Sequence, residues 1–232
     1  MMCRAIPSAW VCPTDYLMST PPQRSDIFHI VHVDRLDSVI ADGKLFSDSA
    51  VRSAPRGGTM IGMGSIKQER LRQPVRCHEG DCVGDYVPFY FCSRSIMLYV
   101  IHKANHPELT YRGGQGPIVH LQADVHEAVA WAGEQARRWA FTTSNARAHY
   151  TAFYDDLKDL DQIDWNAVAS SNWTAAEVRE RKQAEFLMHN SFPWELVRRI
   201  GVHSQAMYAH VQAVLKNSGH KPKVEIKPDW YY

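Results

Sequence analysis

Apolar residues in this chain follow two different spacings, which indicates a mixture of strands and helices. Segments rich in β-branched and aromatic residues are typical of strands. The predicted strands are 27–31, 85–102 with a break at 93–95, 116–125, the segment that follows Glu185, 201–204 and 223–227. Apolar residues three and four positions apart predict helices. The predicted helices are 34–42, a short one from Ser65, 126–141, the middle of 142–168, 174–183, 191–200 and 204–219.

Local signals mark several helix boundaries. Gly43 follows the first predicted helix, at the position where a left-handed glycine commonly ends a helix. Thr174 and Glu177 have the spacing of a capping box, which predicts a helix start there. Pro193 is predicted to lie in the first turn of helix 191–200, because proline needs no amide partner at that position.

The order of these elements predicts the α+β class, because strands and helices do not alternate strictly along the chain. Three nucleotide-binding or catalytic motifs are missing from the sequence: GxGxxG after a strand, GxxxxGK[ST] and GxSxG. Their absence argues against a Rossmann dinucleotide site, a P-loop and a hydrolase nucleophile elbow.

The composition is that of one folded unit with a short leader. The chain has 232 residues, of which 45% are hydrophobic and 22% charged, and this length can bury one sizeable core. Its beginning is proline-rich and has no long apolar run. We therefore predict a flexible N-terminal leader, 1–25, and a single domain, 26–232, without a membrane segment. The odd number of cysteines, 5, and the lack of a signal peptide indicate a reducing, cytoplasmic location.

Charge is balanced over the whole chain and uneven locally. The net charge of +1 argues against a strongly basic nucleic-acid-binding protein. Between residues 52 and 76, however, there are six basic residues and only one acidic residue, Glu69. The basic residues are Arg52, Arg56, Lys67, Arg70, Arg72 and Arg76. This basic cluster could hold phosphate groups, or it could be a solvated face.

A small group of metal-ligand residues lies in the segment CHEGDC. It offers Cys77, His78 and Cys82, with Cys92 downstream. A zinc site could form there, but no second pair of closely spaced cysteines supports one. We therefore predict no metal.

Three other features could form one site. His29 and His32 lie near the end of the first predicted strand, and the glycine-rich segment 57–64 could approach a ligand closely before the chain reaches Arg70. Glu185 precedes an apolar run, where a buried and unpaired carboxylate would be costly. Each residue alone is more commonly structural than functional, so only a shared framework gives them a role.

That framework is provided by a resemblance to a known family. It is carried by the segments FHIVHVDRLDSVIADGKL, IKQERLRQPV, GDYVPFYFCSRSIML, LKDLDQIDW and KQAEFLMHNSFPWELVRRIGV, which follow one another within residues 26–232. The chain resembles the DarT family of DNA ADP-ribosyltransferase toxins, and within it the branch that modifies thymidine. The resemblance implies an ADP-ribosyltransferase fold, in which a split two-sheet β core with flanking helices surrounds an NAD cleft.

The resemblance also implies roles for individual residues. Glu185 is expected to be the catalytic glutamate and Arg70 the active-site arginine, and His32 is expected to contact the ribose or nicotinamide. The full set implied for NAD binding is His29, His32, Gly62, Arg70, Tyr90 and Phe91. Either Tyr90 or Phe91 would stack on the nicotinamide.

Substrate recognition is expected in the segment 166–184, with Trp173 as a candidate for stacking. Some family members carry a histidine where this chain has Asn145, in TTSNA. Whether Asn145 or the nearby His149 makes the substrate contact is left open by the sequence.

The activity implied is transfer of ADP-ribose from NAD, the co-substrate, to thymine in single-stranded DNA. The enzyme would be a toxin whose partner is a macrodomain antitoxin. Cleavage of the nicotinamide–ribose bond builds positive charge that a carboxylate stabilises, and thymine N3 must lose a proton, which Glu185 could accept. The alternatives are the same fold acting on RNA or protein, and an NAD-binding module without catalysis.

Overall fold

The computed structural model describes residues 21–22, 25–54 and 57–232, so most of the predicted leader lies outside the described residues. The strands are β1 (Asp26–His32), β2 (Lys44–Phe46), β3 (Tyr86–Tyr90), β4 (Ile118–Asp124), β5 (Trp139–Thr142), β6 (Phe153–Tyr154), β7 (Glu185–His189), β8 (Ser191–Pro193), β9 (Arg199–Val202) and β10 (Lys223–Ile226). The helices are α1 (Leu36–Asp42), α2 (Asp48–Ser53), α3 (Gly64–Arg70), α4 (Ile96–Lys103), α5 (Val125–Glu134), α6 (Trp165–Ala169), α7 (Ala176–Arg181) and α8 (Gln205–Val214). None of these helices is long and apolar enough to cross a lipid bilayer.

The strands form a large sheet and a small one. The order in the large sheet is β10-β9-β4-β1-β3-β7-β5-β6, and β2 pairs with β8 in the small sheet. Neighbouring strands are antiparallel except β10 and β9, which are parallel. This arrangement of helices around a mostly antiparallel sheet confirms the predicted α+β class.

The large sheet is split in its middle. β1 pairs with β4 along its whole length, from Asp26 to His32, and β3 pairs with β7 from Tyr86 to Tyr90. Between β1 and β3, the register contains the single pair of Phe28 opposite Tyr90. Two four-stranded halves therefore diverge from this pair, which confirms the predicted split β core.

Large apolar side chains pack on both faces of the sheet and hold the two halves in place. On one face, the ring of Phe89 lies 6.3 Å from Phe186 and 4.4 Å from Phe192. On the other face, Phe28 packs edge-on against Trp230 at 5.1 Å. The strands that meet at the split are thus supported from above and below.

Several predicted elements are confirmed. Segments 27–31, 116–125 and 223–227 correspond to β1, β4 and β10, and segment 204–219 contains α8. α1 ends at Gly43, which has the expected left-handed conformation with φ of +66°. α3 begins at Gly64, one residue before the predicted start.

The second half of the predicted strand 85–102 is a helix, so that prediction is wrong. β3 ends at Tyr90, and α4 begins after Ser95, whose Oγ accepts a hydrogen bond from the Leu98 N–H at 3.2 Å. Leu98 and Ile101 are both buried, one helical turn apart. The many β-branched and aromatic residues around them obscured this spacing.

Tertiary pairing explains two further wrong predictions. Helix 126–141 stops at Glu134, and its last residues belong to β5, which pairs with β7. The predicted helix 191–200 is instead β8, a 3₁₀ turn and β9, which pair with β2 and β4. Cross-strand partners that are distant in sequence override the local helical signal.

The segment before Glu185 also differs from the prediction. The predicted capping box is wrong, because α7 starts after Ala175 without a side-chain cap. Thr174 Oγ1 instead donates to Asn172 Oδ1 at 3.0 Å. The region 142–168 contains β6, a 3₁₀ helix at Leu157–Gln162 and α6 in place of one central helix.

Candidate active site

A pocket opens where β1 and β3 diverge. The glycine-rich loop, α1, β2, α2, α3, α4 and the start of β7 also contribute to its wall. Among the residues that line it are His29, Ile30, Arg35, Asp42, Asp48, Thr59, Met60, Gly62, Lys67, Arg70, Pro88, Tyr90 and Glu185. Five of the residues predicted from the sequence therefore meet in one cavity: Glu185, Arg70, His29, Gly62 and Tyr90.

Glu185 is held at both carboxylate oxygens. Its Oε2 accepts from Arg70 Nη1 at 2.8 Å, and its Oε1 accepts from the backbone N–H of Ala146 at 3.1 Å. Its own N–H donates to Thr142 Oγ1 at 3.1 Å. Glu185 is only 2% exposed. Its hydrogen bonds explain how a buried carboxylate is tolerated at the start of an apolar strand.

Arg70 ends α3 and is also buried, with 7% exposed. Burial disfavours its charge, but the surrounding groups, Glu185 foremost and then Asp48, together more than offset this and raise the pKa of the guanidinium above its ordinary value. Its Nη1 is used by Glu185, whereas Nη2 is buried without a hydrogen-bond partner among the described residues. A buried charged donor without an acceptor is costly, so Nη2 is suited to an acceptor brought by a ligand.

Tyr90 is the stacking candidate that lies at the pocket. It stands directly opposite Glu185 in the β3–β7 pairing, and burial together with the Glu185 charge raises the pKa of its phenol. Phe91 does not line the pocket. It is buried in the core, where its ring contacts Trp165 edge-on at 5.3 Å.

His29 bridges the split in the sheet. Its Nδ1–H donates to the backbone oxygen of Pro88 at 2.8 Å, which leaves Nε2 as an acceptor in the neutral ring. Burial lowers the pKa of His29, although the bond to Pro88 opposes this. The side chain therefore presents an uncharged imidazole to the pocket.

His32 does not line the pocket, but it contacts a residue that holds the pocket wall. Its Nδ1 lies 2.9 Å from Asp34 Oδ1. The same carboxylate accepts from the N–H of Thr59 at 3.0 Å and from its hydroxyl at 2.6 Å. Gly58 has φ of +106°, and a Cβ there would meet Arg35 Cγ at 2.7 Å. The glycine-rich loop is thus fastened to the end of β1 and lines the pocket with Thr59 to Met63.

The residues predicted to bind substrate lie outside the pocket lining. Asn145 Nδ2 donates to Gln183 Oε1 at 2.9 Å, next to the Ala146 amide that holds Glu185. His149 is exposed, and its backbone oxygen accepts from Arg76. Trp173 packs edge-on against Tyr99 at 4.5 Å.

The basic cluster divides into two parts. Lys67 and Arg70 line the pocket, where Lys67 pairs with Asp48 at 2.6 Å. Arg52, Arg72 and Arg76 are exposed, and Arg56 lies outside the described residues. Of the described members of the cluster, only two therefore line the pocket, and the others are exposed.

Among the described residues, one group has a metal-like composition: Cys77, His78 and Asp155, with ligand atoms within 4.8 Å of one another. His78 Nε2 is already bonded to the backbone oxygen of Trp139 at 2.8 Å. Burial and then the charge of Asp155 raise the pKa of the Cys77 thiol to about 11. These three residues do not supply the four ligands of a structural zinc site, and Cys82 and Cys92 are not part of the group.

Two contacts of Glu185 could not be found by reading motifs. One is the amide of Ala146, and the other is the hydroxyl of Thr142, which also donates to the oxygen of Ser144 at 2.7 Å. Together they join the turn 143–151 to the start of β7. A backbone donor has no residue signature, and a threonine before a turn is common.

Thr142→Val is expected to reduce stability by about 1–3 kcal/mol, because it leaves the buried N–H of Glu185 and the oxygen of Ser144 without their partner. It should also lower kcat, since the turn that holds Glu185 becomes looser. Unfolding in urea measures the change in stability, and the rate of the reaction expected from the sequence measures the change in kcat. Thr143→Val, at the neighbouring half-buried position, is the matched control. Equal stability and kcat for both variants would show that the hydroxyl does not position Glu185.

Comparison with known proteins places this geometry in a family. The family model described as "DarT: ssDNA thymidine ADP-ribosyltransferase, DarT" matches residues 28–232. A DNA ADP-ribosyl transferase of Thermus sp. (strain 2.9) is 38% identical over 216 residues, which are 92% of this chain and 99% of the relative.

Solved structures agree with the sequence comparison. The structure of Thermus sp. 2.9 DarT in complex with ADP-ribosylated ssDNA superposes with a TM-score of 0.84 at 35% identity, covering 92% of this chain and 99% of that one. The same protein in complex with NAD+ gives a TM-score of 0.79 at 35% identity, with 92% and 100% covered. The chain described here therefore belongs to the DarT family of DNA ADP-ribosyltransferases.

Proposed function

We propose that this chain transfers ADP-ribose from NAD+ to thymine bases of single-stranded DNA. The observation that carries the proposal is the buried pair of Glu185 and Arg70 at the pocket between the sheet halves, 2.8 Å apart. Similarity to a Thermus DarT that was solved with NAD+ and with ADP-ribosylated ssDNA supports it.

Four of the residues predicted to bind NAD+ share one pocket with the predicted catalytic Glu185, and this supports the proposal. His29, Gly62, Arg70, Tyr90 and Glu185 line the same pocket. The unpartnered Nη2 of Arg70 can donate to a phosphate or carbonyl oxygen, and the neutral His29 can accept from a ribose hydroxyl or an amide. Tyr90 offers a ring on which the nicotinamide could stack.

The chemistry needs a carboxylate that stays in place while charge develops. The bond between nicotinamide and the ribose carbon breaks, and nicotinamide leaves with the electron pair. In this proposal, the negative charge of Glu185 stabilises the positive charge that develops on the ribose. Thymine N3 forms the new bond to the same carbon, and its proton passes to Glu185.

A single strand is the expected substrate, because N3 of thymine is paired in duplex DNA. RNA and protein are the alternative acceptors, since uracil and several side chains also offer a nucleophile. A module that binds NAD without catalysis is disfavoured, because both Glu185 and Arg70 are present and paired.

Mass spectrometry of modified oligonucleotides tests this function. With NAD+, a single-stranded oligonucleotide containing thymine should gain the mass of one ADP-ribose. The same sequence should not react when its target base is N3-methylthymine or when it is annealed to its complement. RNA and a protein mixture serve as parallel acceptors. Modification of RNA or protein without modification of DNA would contradict the proposal.

We also propose that the chain is a toxin whose partner is a macrodomain antitoxin that removes ADP-ribose from DNA. The family resemblance supports this. Induced expression in a bacterial host should stop growth, and co-expression of such a macrodomain protein should restore it. Normal growth while genomic DNA carries ADP-ribose would contradict the toxin role.

A further inference from the structure

The turn 143–151 carries an unusual exposed aromatic side chain. Among the described residues, the exposed large hydrophobic side chains are Met60, Tyr150 and Ile226, with 50%, 67% and 39% of their surface accessible. Met60 lines the pocket. Tyr150 lies four residues beyond Ala146, whose amide holds Glu185. An exposed aromatic ring on the turn that holds Glu185 is available for stacking on a nucleic-acid base.

Hydrogen bonding holds the turn that carries Tyr150. The hydroxyls of Ser144 and Thr151, which are both buried, lie 3.0 Å apart and close the base of the turn. Glu180 of α7 lies near the Tyr150 hydroxyl, and 67% of the Tyr150 surface is accessible to a base.

Charged side chains of both signs lie around the turn. Arg76 donates to the oxygen of His149, and Arg147 pairs with Glu69 at 2.6 Å at an exposed position. Glu69 is the partner of Arg147, and Glu180 lies near the Tyr150 hydroxyl. Both arginines are exposed, so each can exchange its present contact for a phosphate.

We propose that Tyr150 stacks on a base next to the target thymine, and that Arg76 and Arg147 contact the adjacent phosphates of the single strand. This inference rests on the proposed function and identifies the surface that would bind the DNA next to the target base. The Ala146 amide of the same turn binds Glu185. A DNA strand bound on this turn would therefore also hold the Glu185 carboxylate in position. Duplex DNA cannot use this surface, because its bases already stack on one another.

Binding of a labelled single-stranded oligonucleotide, followed by fluorescence anisotropy, tests the stacking directly. The measurement uses the full chain with Glu185→Gln, so that binding is read without chemistry. In this background, Tyr150→Ala is expected to raise Kd about ten- to a hundredfold, because one stacked base is lost. Tyr150→Phe keeps the ring and should stay close to the Kd of the parent. Ile226→Ala, an exposed apolar residue on β10, is the matched control and should leave Kd unchanged.

An abasic scan locates the base involved. Removing one neighbour of the target thymine should weaken binding of the parent protein and have little further effect on Tyr150→Ala. Arg76→Gln and Arg147→Gln should each reduce the slope of log Kd against log salt by about 0.7. In the catalytically intact chain, Tyr150→Ala should raise KM for the oligonucleotide and leave KM for NAD+ unchanged.

The outcomes separate the two proposals. Equal Kd values for Tyr150→Ala and Ile226→Ala would overturn the stacking role even if DNA is modified. Loss of binding in Tyr150→Ala would support it even if the modified acceptor proved to be RNA. If the parent protein binds no single strand at all, the inference is wrong whatever the acceptor.

Discussion

Glu185→Gln is expected to lower the rate constant of ADP-ribose transfer by about 10³-fold or more. A general base alone contributes about 10²–10⁴-fold, and the variant also removes the charge that would stabilise the ribose. Glutamine keeps the shape of the side chain and one oxygen that can accept from Ala146 or Arg70. Single-turnover transfer to an oligonucleotide at saturating NAD+ measures the change. Transfer at the wild-type rate would remove Glu185 from the mechanism.

Loss of the Glu185 side chain should also lower the free energy of unfolding. This effect on stability can be separated from the effect on catalysis. Glu185→Ala leaves Arg70 buried without its partner, and removal of one member of a buried pair typically costs about 3–5 kcal/mol. The double variant Arg70→Met with Glu185→Leu removes both charges, so its free energy of unfolding should be closer to the wild-type value. That variant should still be inactive. Equal unfolding free energies for wild type and Glu185→Ala would mean that the buried pair contributes little.

Part of the fold could be predicted because its signals are local. β1 and β4 are short, mostly apolar segments that contain β-branched residues, and α1 ends at a glycine with φ of +66°. The strand after Glu185 was also predicted and is β7, but the residues that follow it could not be predicted in the same way. The residues 191–200 become strands because they find partners in β2 and β4, which are distant in the sequence. Local propensity cannot include such pairing.

Residues of the candidate site could be predicted where their side chains belong to a recognisable sequence motif. Glu185, Arg70 and Tyr90 follow from the family resemblance, and the structure brings them to one pocket. The contacts that hold Glu185 in place did not follow, because the Ala146 donor is a backbone amide. The resemblance also placed Phe91 at the nicotinamide, but the alternation of side chains along β3 turns the residue after Tyr90 into the core.

Arg70→Lys is expected to lower kcat by about 10²-fold or more, although the charge is kept. Removing one preorganised donor from a transition state typically costs about 10²–10³-fold. Lysine can pair with Glu185, but it has no planar fork that could serve Glu185 and a ligand oxygen together. In the structure, Nη1 is bound to Glu185 and Nη2 is without a partner among the described residues. Steady-state kinetics at saturating oligonucleotide measures kcat and KM for NAD+.

The position of Arg70 makes its two functions separable. Arg70→Lys retains a positive charge next to Glu185, so its free energy of unfolding should fall less than that of Arg70→Ala, which leaves a buried carboxylate unpaired. Arg72→Lys, two residues further along at an exposed position, is the matched control, and its kcat should equal that of the wild type. If Arg70→Lys also keeps the wild-type kcat, the second guanidinium nitrogen has no part in the reaction, and Arg70 only neutralises Glu185. A large loss of kcat with nearly unchanged stability would instead show that Nη2 binds the reacting groups.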